Sequence, residues 1–372
     1  MKEPTQKSRL YFLDWLRVIA FGLLVFYHSG LIFVDWGFHI QNDSFSAGLK
    51  LPMLFLNQWR LPLLFLVSGA GIYFALGKRT AGVFAKERLI RILVPLIFGI
   101  MVIIPPQVYF EWLHRKAFDG SYLEFYPLFF KHITWNHLWF LVYLFTFTFL
   151  GLPLFFYLKG EKAKSVITKI ASFLSKRMNL LLLVIPLLSV ELFLRDRWPD
   201  NRNLITDWYN FTFYFIILLY GYFFATVDSL WPTLESNRKK YLLIGILSFA
   251  IIYFGWHQLG INFLEKLALG RFIFDFFKCL NILSWILCLL GFARYYVTDN
   301  SILLQYANKA VYPFYILHQT VLIAIGFYVV QYDWSIAAKY STIVAGTFIF
   351  TMLIYELLIR RIKQVGLFFG VK

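Results

Sequence analysis

Charged residues are scarce in this chain of 372 residues: they make up 15% of it, and only 20 are acidic against 36 lysines and arginines. Soluble domains carry about 25% charged residues. The low charge, together with 60% apolar residues, excludes an ordinary soluble domain. Cysteine is scarcer still. Cys279 and Cys288 are the only two, and on one helix they would lie on opposite sides, so no disulfide framework is expected.

Alternating polarity is missing as well. The strands of a transmembrane β-barrel alternate polar and apolar side chains over about ten residues, whereas residues 180–194 and 241–255 are apolar almost throughout. A bilayer core of ~30 Å needs about 20 apolar residues per helix. The sequence therefore predicts an all-α fold, a polytopic integral membrane bundle of about ten transmembrane helices, at residues 10–34, 51–76, 92–110, 137–158, 179–194, 208–227, 241–260, 272–293, 311–330 and 337–359.

The lysines and arginines indicate the orientation of this bundle. Of the 36, 23 lie between spans on the side of both termini, nine lie on the other side and four lie within spans. Because cytoplasmic loops are enriched in Lys and Arg, we predict a multi-pass protein of the cytoplasmic (inner) membrane with both termini in the cytoplasm. The chain is then a single membrane domain, 1–372, with the bundle at 10–359 between cytoplasmic tails at 1–9 and 360–372.

The formal charge of +16 requires no nucleic acid partner under this topology, since the basic loops face anionic lipid and anionic cytoplasmic ligands. Residues 159–177 place apolar side chains such as Val166, Ile170 and Phe173 between lysines. This pattern predicts an amphipathic helix on the cytoplasmic membrane surface. The lipid bilayer is therefore the first partner that the sequence predicts.

The first span holds ionisable residues, which are costly inside a membrane and mark functional sites. Arg17 and His28 are eleven residues apart, or three helical turns plus ~20°, so they share one face and are separated by ~16.5 Å along the axis. Asp35 continues this stripe toward the outer surface. The pattern is typical of a channel that holds a long anionic molecule end-on. The alternative is that Arg17 pairs with Asp14 and His28 is a hydrogen-bonded packing residue.

Further arginines are candidates in and after the second span. Arg60 lies deep in that span and should face the bundle interior, where it would pair with a carboxylate, a carbonyl or a ligand. Ser68 begins a run of small residues that suits close helix packing. Arg88 and Arg91 follow the span one helical turn apart and would form a fork for phosphate. An ordinary basic cytoplasmic loop is the alternative for that pair.

Two more histidines fall in predicted spans. His137 and Trp139 begin the fourth span at the outer interface, where aromatic residues are expected in any case, and His318 is buried in the ninth. Three acid–base pairs at helical spacing are expected to be structural: Glu191 with Arg195, Asp275 with Lys278, and Glu356 with Arg360.

In this order, the motifs resemble those of the acyltransferase-3 family of bacterial membrane acyltransferases. The resemblance rests on Arg17-x10-His28, on Pro62 followed by Ser68-Gly69, on Arg88-x-x-Arg91, and on the runs His137-Leu138-Trp139-Phe140-Leu141 and Tyr315-Ile316-Leu317-His318. The last two runs look most like the branch that contains glucan biosynthesis protein C. The resemblance covers essentially the whole chain.

The resemblance implies transfer of an acyl group from cytoplasmic acyl-coenzyme A, the donor substrate, to a hydroxyl of a saccharide or glycolipid acceptor. Arg17 with His28, and Arg88 with Arg91, carry over from the family's motifs. The chemistry of the residues agrees with this. His28 would be the general base, Arg17, Arg88 and Arg91 would bind the donor, and Arg60 would stabilise the oxyanion. No metal and no permanently bound cofactor is expected.

Two other classes of protein remain as alternatives. A transporter or flippase of a lipid-linked or polar envelope precursor would also place polar residues inside a bundle, but the sequence gives no sign of the inverted repeats and matching broken helices of such proteins. A structural or sensory membrane protein would not require Arg17 and His28 on one face.

Overall fold

The computed structural model describes residues 10–77, 79–198, 200–258 and 268–371. Helices dominate, and no strand occurs among these residues, which confirms the predicted all-α fold. We number the helices as follows: α1 Tyr11–Leu31, α2 Ala47–Leu76, α3 Ala81–His114, α4 Tyr122–Phe129, α5 Asn136–Leu150, α6 Leu152–Lys159, α7 Glu161–Leu174, α8 Asn179–Leu194, α9 Trp208–Thr226, α10 Leu230–Ala250, α11 Ala268–Tyr296, α12 Ile302–Val329, α13 Ile336–Ile359 and α14 Lys363–Phe368.

Several helices contain stretches of π-helix, in which the turn is wider than in an α-helix. Helix α3 has two, Leu89–Leu93 and Gly99–Ile103, and α13 ends in one, Tyr355–Ile359. Helix α10 is continued by a fourth, Ile251–Gln258. The first of these begins directly after Arg88 and contains Arg91, so the Arg88-x-x-Arg91 motif crosses from α-helix into π-helix.

Seven helices, α1–α3, α9 and α11–α13, are long and apolar enough to cross a membrane. Two bent pairs bring the number to nine if each pair is one span: α5 with α6, bent by 54°, and α7 with α8, bent by 119°. The described residues thus support a helical membrane bundle, but they do not reach the predicted count of about ten. The predicted span at 241–260 lies in α10 and its continuation, which is not among the seven, and its last residues are outside the described part of the chain.

One predicted span is bent for a local reason, and one predicted loop is helical. Pro153 stands in the first turn of α6, and because proline cannot continue the hydrogen bonds of a preceding helix, the predicted span at 137–158 bends there. Helix α10 runs from Leu230 to Ala250. Arg238, Lys239 and Lys240 therefore lie within a helix and not in the loop predicted between residues 227 and 241.

Helix α7 corresponds to the predicted amphipathic helix. One face, formed by Ala163, Ile167, Ala171 and Leu174, is buried against the rest of the protein. Its other apolar side chains, Val166, Ile170 and Phe173, are about half exposed. A helix with lysines on one face and exposed apolar residues beside them is typical of a membrane surface.

Helices α2 and α9 approach each other closely through glycine. A Cβ added at Gly69 would overlap the carbonyl oxygen of Leu218, and a Cβ added at Gly221 would overlap that of Leu66. Small residues let transmembrane backbones approach in this way. The crossing holds the part of α2 that carries Arg60 against the core, while large apolar side chains such as Ile97, Leu243 and Ile349 are exposed on the outside of the bundle.

Candidate active site

A cavity of about 560 Å³ lies where the loop after α1, the start of α5 and the loop before α9 meet. Under the predicted topology this is the extracytoplasmic end of the bundle. Four of the predicted site residues line it: His28, Arg60, His137 and Trp139. Its volume falls within the range of small-molecule sites, and its wall combines aromatic rings with several polar and charged side chains. Aromatic rings supply much of that wall, among them Tyr27, Trp36, Phe38, Trp135 and Phe140.

His28 on α1 is joined to His318 on α12. The Nδ1 of His28 lies 3.1 Å from the Nε2 of His318, and the two rings are nearly parallel, with centroids 5.3 Å apart. The Nδ1 of His318 lies 2.6 Å from the carbonyl oxygen of Tyr315. Because a carbonyl only accepts, we assign the hydrogen of His318 to Nδ1, and its Nε2 then accepts the Nδ1–H of His28. The lone pair of His28 is therefore on Nε2.

His137 is the third imidazole of this group. Its ring centroid is 5.2 Å from that of His318, and the two rings are perpendicular. Its Nε2 donates to the carbonyl oxygen of Ile316 at 3.1 Å, and its Nδ1 accepts from the side-chain amide of Gln107 at 3.3 Å. Both nitrogens are thus held by the protein. His137 supports the wall of the cavity and the position of His318, and it has no nitrogen left for a substrate.

Arg60 faces the bundle interior, as the sequence predicts. Its side chain is 2% exposed, and the guanidinium carbon lies 3.8 Å from the centre of the Tyr27 ring. Neither its Nε nor its Nη1 has a hydrogen-bond partner among the described residues, and no carboxylate of that part of the chain forms an ion pair with it. A buried guanidinium that lines a cavity and lacks such partners is suited to a ligand or a developing negative charge.

His39 and Glu111 also line the cavity, although the sequence did not predict either as a site residue. The Nδ1 of His39 contacts the Oε2 of Glu111, and the other carboxylate oxygen of Glu111 lies 3.0 Å from Arg115. The pair joins residues 72 positions apart in the chain. No periodic pattern connects such residues, so only their types, an imidazole and a carboxylate near predicted span ends, could have suggested them.

Two buried glutamines link the histidines. Gln319 donates to the Nε2 of His39 and to the side-chain oxygen of Gln107, at 3.2 Å in both cases. Gln107 in turn contacts His137 and donates to the hydroxyl of Thr320 at 2.7 Å. Continuous hydrogen bonding of this kind fixes the orientation of each ring. The polar wall of the cavity is therefore held in one arrangement.

Arg17 does not line the cavity with His28. It donates to Asn308 on α12 at 2.7 Å and pairs with Asp14 at 3.0 Å. The pairing with Asp14 is the alternative that the sequence left open. The two residues share helix α1, but the cavity surrounds only the His28 end of the predicted channel.

Arg88 and Arg91 lie in the first third of α3, whereas Glu111, near the other end of this helix, lines the cavity. The guanidinium carbon of Arg88 is 4.9 Å from the centre of the Phe84 ring. The Nε atoms of both arginines and the hydroxyl of Tyr312 are buried and have no hydrogen-bond partner in the part of the chain that the structure describes. Donors that are not satisfied by the protein leave these residues able to bind an anion such as phosphate.

Asp35 and Ser68 do not line the cavity. Helix α1 ends at Leu31, so Asp35 does not continue the stripe of Arg17 and His28, contrary to the prediction. It is exposed and pairs with Lys50 at 2.9 Å, a hydrogen bond that lowers the pKa of its carboxyl group. The hydroxyl of Ser68 donates to the carbonyl oxygen of Leu64 beside the close crossing of α2 and α9, which is a packing role.

The three predicted ion pairs have different outcomes. Glu191 pairs with Arg195, and Glu356 pairs with Arg360 at 2.9 Å, as predicted. The predicted pair of Asp275 with Lys278 is wrong. Lys278 instead contacts Glu191 at 2.6 Å, because α11 packs beside α8. Asp275 contacts Arg271 at 3.4 Å and Arg195 at 3.6 Å. Both cysteines are buried free thiols.

Within the described ranges, no three His, Cys, Asp or Glu side chains are grouped so that they could hold a metal ion. The groups suited to a bound anion are Arg60 in the cavity and Arg88 with Arg91 at the other end.

The family described as Acyltransferase domain, acyltransferase-3, matches residues 10–356 of the chain. Over 156 residues the chain is 27% identical to the Glucans biosynthesis protein C of Escherichia coli strain K12 and, equally, to that of strain O6:K15:H31. These alignments cover 41% of this chain and 40% of each relative, so the chain spans about two fifths of the length of the relatives that it matches. No solved structure matches it significantly.

Proposed function

Because this chain belongs to the acyltransferase-3 family and is an acyltransferase, we propose that it moves an acyl group, of the acetyl or succinyl class, from cytoplasmic acyl-coenzyme A to a hydroxyl of a saccharide, glycan or glycolipid. The observation that carries this proposal is the position of His28 in the wall of the cavity, with its Nδ1–H bonded to His318 and its Nε2 lone pair free to accept a proton. The name of the relatives points to a glucan as one such acceptor.

The reaction would proceed as general-base catalysis. His28 removes the proton of the acceptor hydroxyl, and the oxygen attacks the thioester carbonyl carbon. A C–O bond forms, the C–S bond breaks, and the proton passes from His28 to the thiolate of coenzyme A. Arg60, buried in the same cavity wall, would stabilise the negative charge on the tetrahedral carbonyl oxygen. The bond from His28 to His318 supports this role, because it keeps the proton off Nε2.

The donor would enter from the cytoplasm. Arg88 and Arg91 would bind the phosphates of acyl-coenzyme A through charge-assisted hydrogen bonds, and Arg17 would guide the pantetheine arm. The Nε atoms of Arg88 and Arg91 are buried and have no hydrogen-bond partner among the described residues, which supports the proposal that a ligand binds at this end. The long pantetheine arm suits a site whose phosphate-binding groups and base lie at different depths on α1 and α3.

We further propose a protein of the cytoplasmic (inner) membrane with about ten spans, both termini in the cytoplasm and one domain over 1–372. The 23 cytoplasmic lysines and arginines against nine on the other side support this topology. The acceptor would then reach the cavity from outside, past the loops that carry His39 and Arg202.

The proposal can be tested in two systems. Purified protein in lipid nanodiscs should cleave acyl-coenzyme A faster when a saccharide acceptor is present. Mass spectrometry of envelope glycans and lipids should find an acyl group in cells that make the wild-type protein and lack it in cells that make His28→Gln at the same abundance. Identical glycans and lipids in the two strains would contradict the proposed function.

A further inference from the structure

Arg60 carries a buried positive charge that the protein itself does not balance. Its side chain is 2% exposed, two of its nitrogens lack hydrogen-bond partners among the described residues, and it lines the cavity. Its main contact is the face of the Tyr27 ring, at 3.8 Å. Such stacking is favourable, but a neutral ring supplies no opposite charge.

The other charged residues of the cavity do not provide that charge. Arg115 and Arg202 also line it, and Glu111 is the one carboxylate in its described wall. Both oxygens of Glu111 are engaged, one by His39 and one by Arg115. The guanidinium carbon of Arg202 lies 5.3 Å from the Trp139 ring, and its ion-pair partner is the exposed Asp200. The wall is therefore basic, and Arg60 is its most deeply buried cation.

A buried charge without a partner is strongly destabilising. The oxyanion of the proposed reaction cannot remove this cost, because it exists only briefly while the acyl group is transferred. An anion that stays bound throughout the reaction would balance the charge of Arg60 in the ground state as well. A guanidinium has five N–H donors, so it can hold such an anion and still donate to the oxyanion.

We propose that the cavity binds a substrate that bears a permanently anionic group, a carboxylate or a phosphate, and that Arg60 is its counter-ion. This inference rests on the proposed function, because it names the charge of the substrate that occupies the same site. The anionic group can belong to the acceptor saccharide or to the far end of the acyl group. Both sources present the same chemistry to Arg60, and a binding experiment separates them.

The test uses purified protein in nanodiscs, measures equilibrium binding and needs no turnover. Two matched sets of probes differ in charge. For the acceptor, methyl glucoside is compared with glucuronate and with glucose 6-phosphate. For the acyl group, the S-butyryl thioester of N-acetylcysteamine is compared with its S-succinyl thioester. We expect the anionic member of one set to bind at least about tenfold more tightly, as for a hydrogen-bonded charge.

Variants connect that preference to Arg60. Arg60→Gln should abolish it, and Arg60→Lys should retain most of it, because it keeps the charge. Lys50→Gln is the matched control: it removes one positive charge on the same predicted side of the membrane, at a residue that pairs with exposed Asp35 and does not line the cavity. This control should bind every probe as the wild type does.

A preference within the sugar set supports an anionic acceptor, and one within the thioester set supports an anionic acyl group. Equal binding of charged and neutral probes in both sets, or a preference that survives in Arg60→Gln, overturns the proposal. If Arg60→Gln does not fold, the test depends on two measurements: whether the wild type prefers the anionic probe, and whether Arg60→Lys retains that preference. Absence of the preference in the wild type, or its loss in folded Arg60→Lys, then overturns the proposal. If the wild-type protein binds the anionic probe more tightly but transfers no acyl group in the activity assay, the proposed reaction is contradicted and the anion site is still supported.

Discussion

His28 and His39 both have their imidazoles in the cavity wall, but they differ in the group that accepts their Nδ1–H. For His28 the acceptor is the neutral ring of His318, and for His39 it is the carboxylate of Glu111. Two imidazoles 3.1 Å apart cannot both be charged at low cost, so at most one of His28 and His318 carries a positive charge at a time. The partner of His28 is thus a neutral ring, whereas His39 belongs to a group that contains the charged side chains of Glu111 and Arg115.

We expect His28→Gln to lower the rate of acyl transfer by ~10²–10⁴, the usual effect of losing a general base, because glutamine has no basic nitrogen. His318→Gln should retain more activity, since it removes only the group that orients His28. The measurement is the transfer rate of each purified variant at equal amount, with donor affinity determined beside it. Near-normal transfer by folded His28→Gln would contradict its role and reopen His318 as the base.

Glu111→Gln tests the role of the group formed by His39, Glu111 and Arg115, which the sequence did not predict. The substitution keeps the shape of the side chain and removes the charge that holds His39 and Arg115 at the cavity wall. We expect KM for the acceptor to rise several-fold and KM for acyl-coenzyme A to stay within about twofold, because uniform binding is lost only on the acceptor side. Equal rises in both KM values would show a general structural defect.

Helix α2 carries its functional arginine at a place where backbone contact is close. Arg60 lies about two turns before Gly69, and Gly69 meets the carbonyl oxygen of Leu218 on α9. Gly71, on the same helix, has no neighbouring atom where a Cβ would stand. Substituting each glycine by alanine therefore distinguishes the effect of close packing at Gly69 from the general effect of glycine in a helix.

Gly69→Ala should destabilise the protein by ~1–3 kcal/mol, as overpacking does, since the obstructing atoms are backbone and cannot rotate away. Gly71→Ala should be neutral or slightly stabilising, because alanine is the better helix former. Thermal unfolding in detergent provides the comparison. A Gly69→Ala protein as stable as Gly71→Ala would mean that α2 and α9 do not approach as closely as described.

Helix α3 presents the proposed donor site on a stretch where regular α-helix changes to π-helix at Leu89. Arg88→Ala and Arg91→Ala should each raise KM for acyl-coenzyme A about tenfold, because each removes a charge-assisted phosphate contact. Lys86→Ala, at an exposed neighbouring position, is the control and should have little effect.

The same substitutions also distinguish binding from topology. With an acyl-pantetheine donor that lacks the nucleotide phosphates, the losses in Arg88→Ala and Arg91→Ala should shrink. Losses of the same size with both donors would indicate that these arginines only set the orientation of the chain in the membrane.

At the scale of the whole molecule, the proposed donor and acceptor ends lie on opposite sides. Labelling with an impermeant thiol reagent in intact cells tests this arrangement. Asp119→Cys and Asp333→Cys, both exposed, should react from outside, and Gly82→Cys should stay protected. The two native cysteines are 0% and 2% exposed, so background labelling should be low. Reaction of Gly82→Cys would reverse the orientation.

Much of the fold could be predicted from the sequence because each prediction depends on properties of short segments. Apolar runs identify membrane helices whatever they pack against, and the positions of Lys and Arg indicate orientation for the same reason. Pairs at i, i+4, such as Glu191 with Arg195, follow from the geometry of one helix. Helix boundaries do not follow from short segments in this way: the end of α1 at Leu31, and with it the position of Asp35, depends on how the following loop folds onto the bundle.

The candidate site was predictable only where one segment carries it. Composition, helix type and the family motifs identified His28 and Arg60 as candidates, since an ionisable group inside a span is costly wherever the span lies. Tertiary structure alone decided that His318 accepts the hydrogen of His28, that Glu111 holds His39, that Lys278 contacts Glu191, and that Arg17 is outside the cavity. These contacts form only because helices and loops from distant parts of the chain pack together, and a linear sequence carries no periodic signal for such pairs.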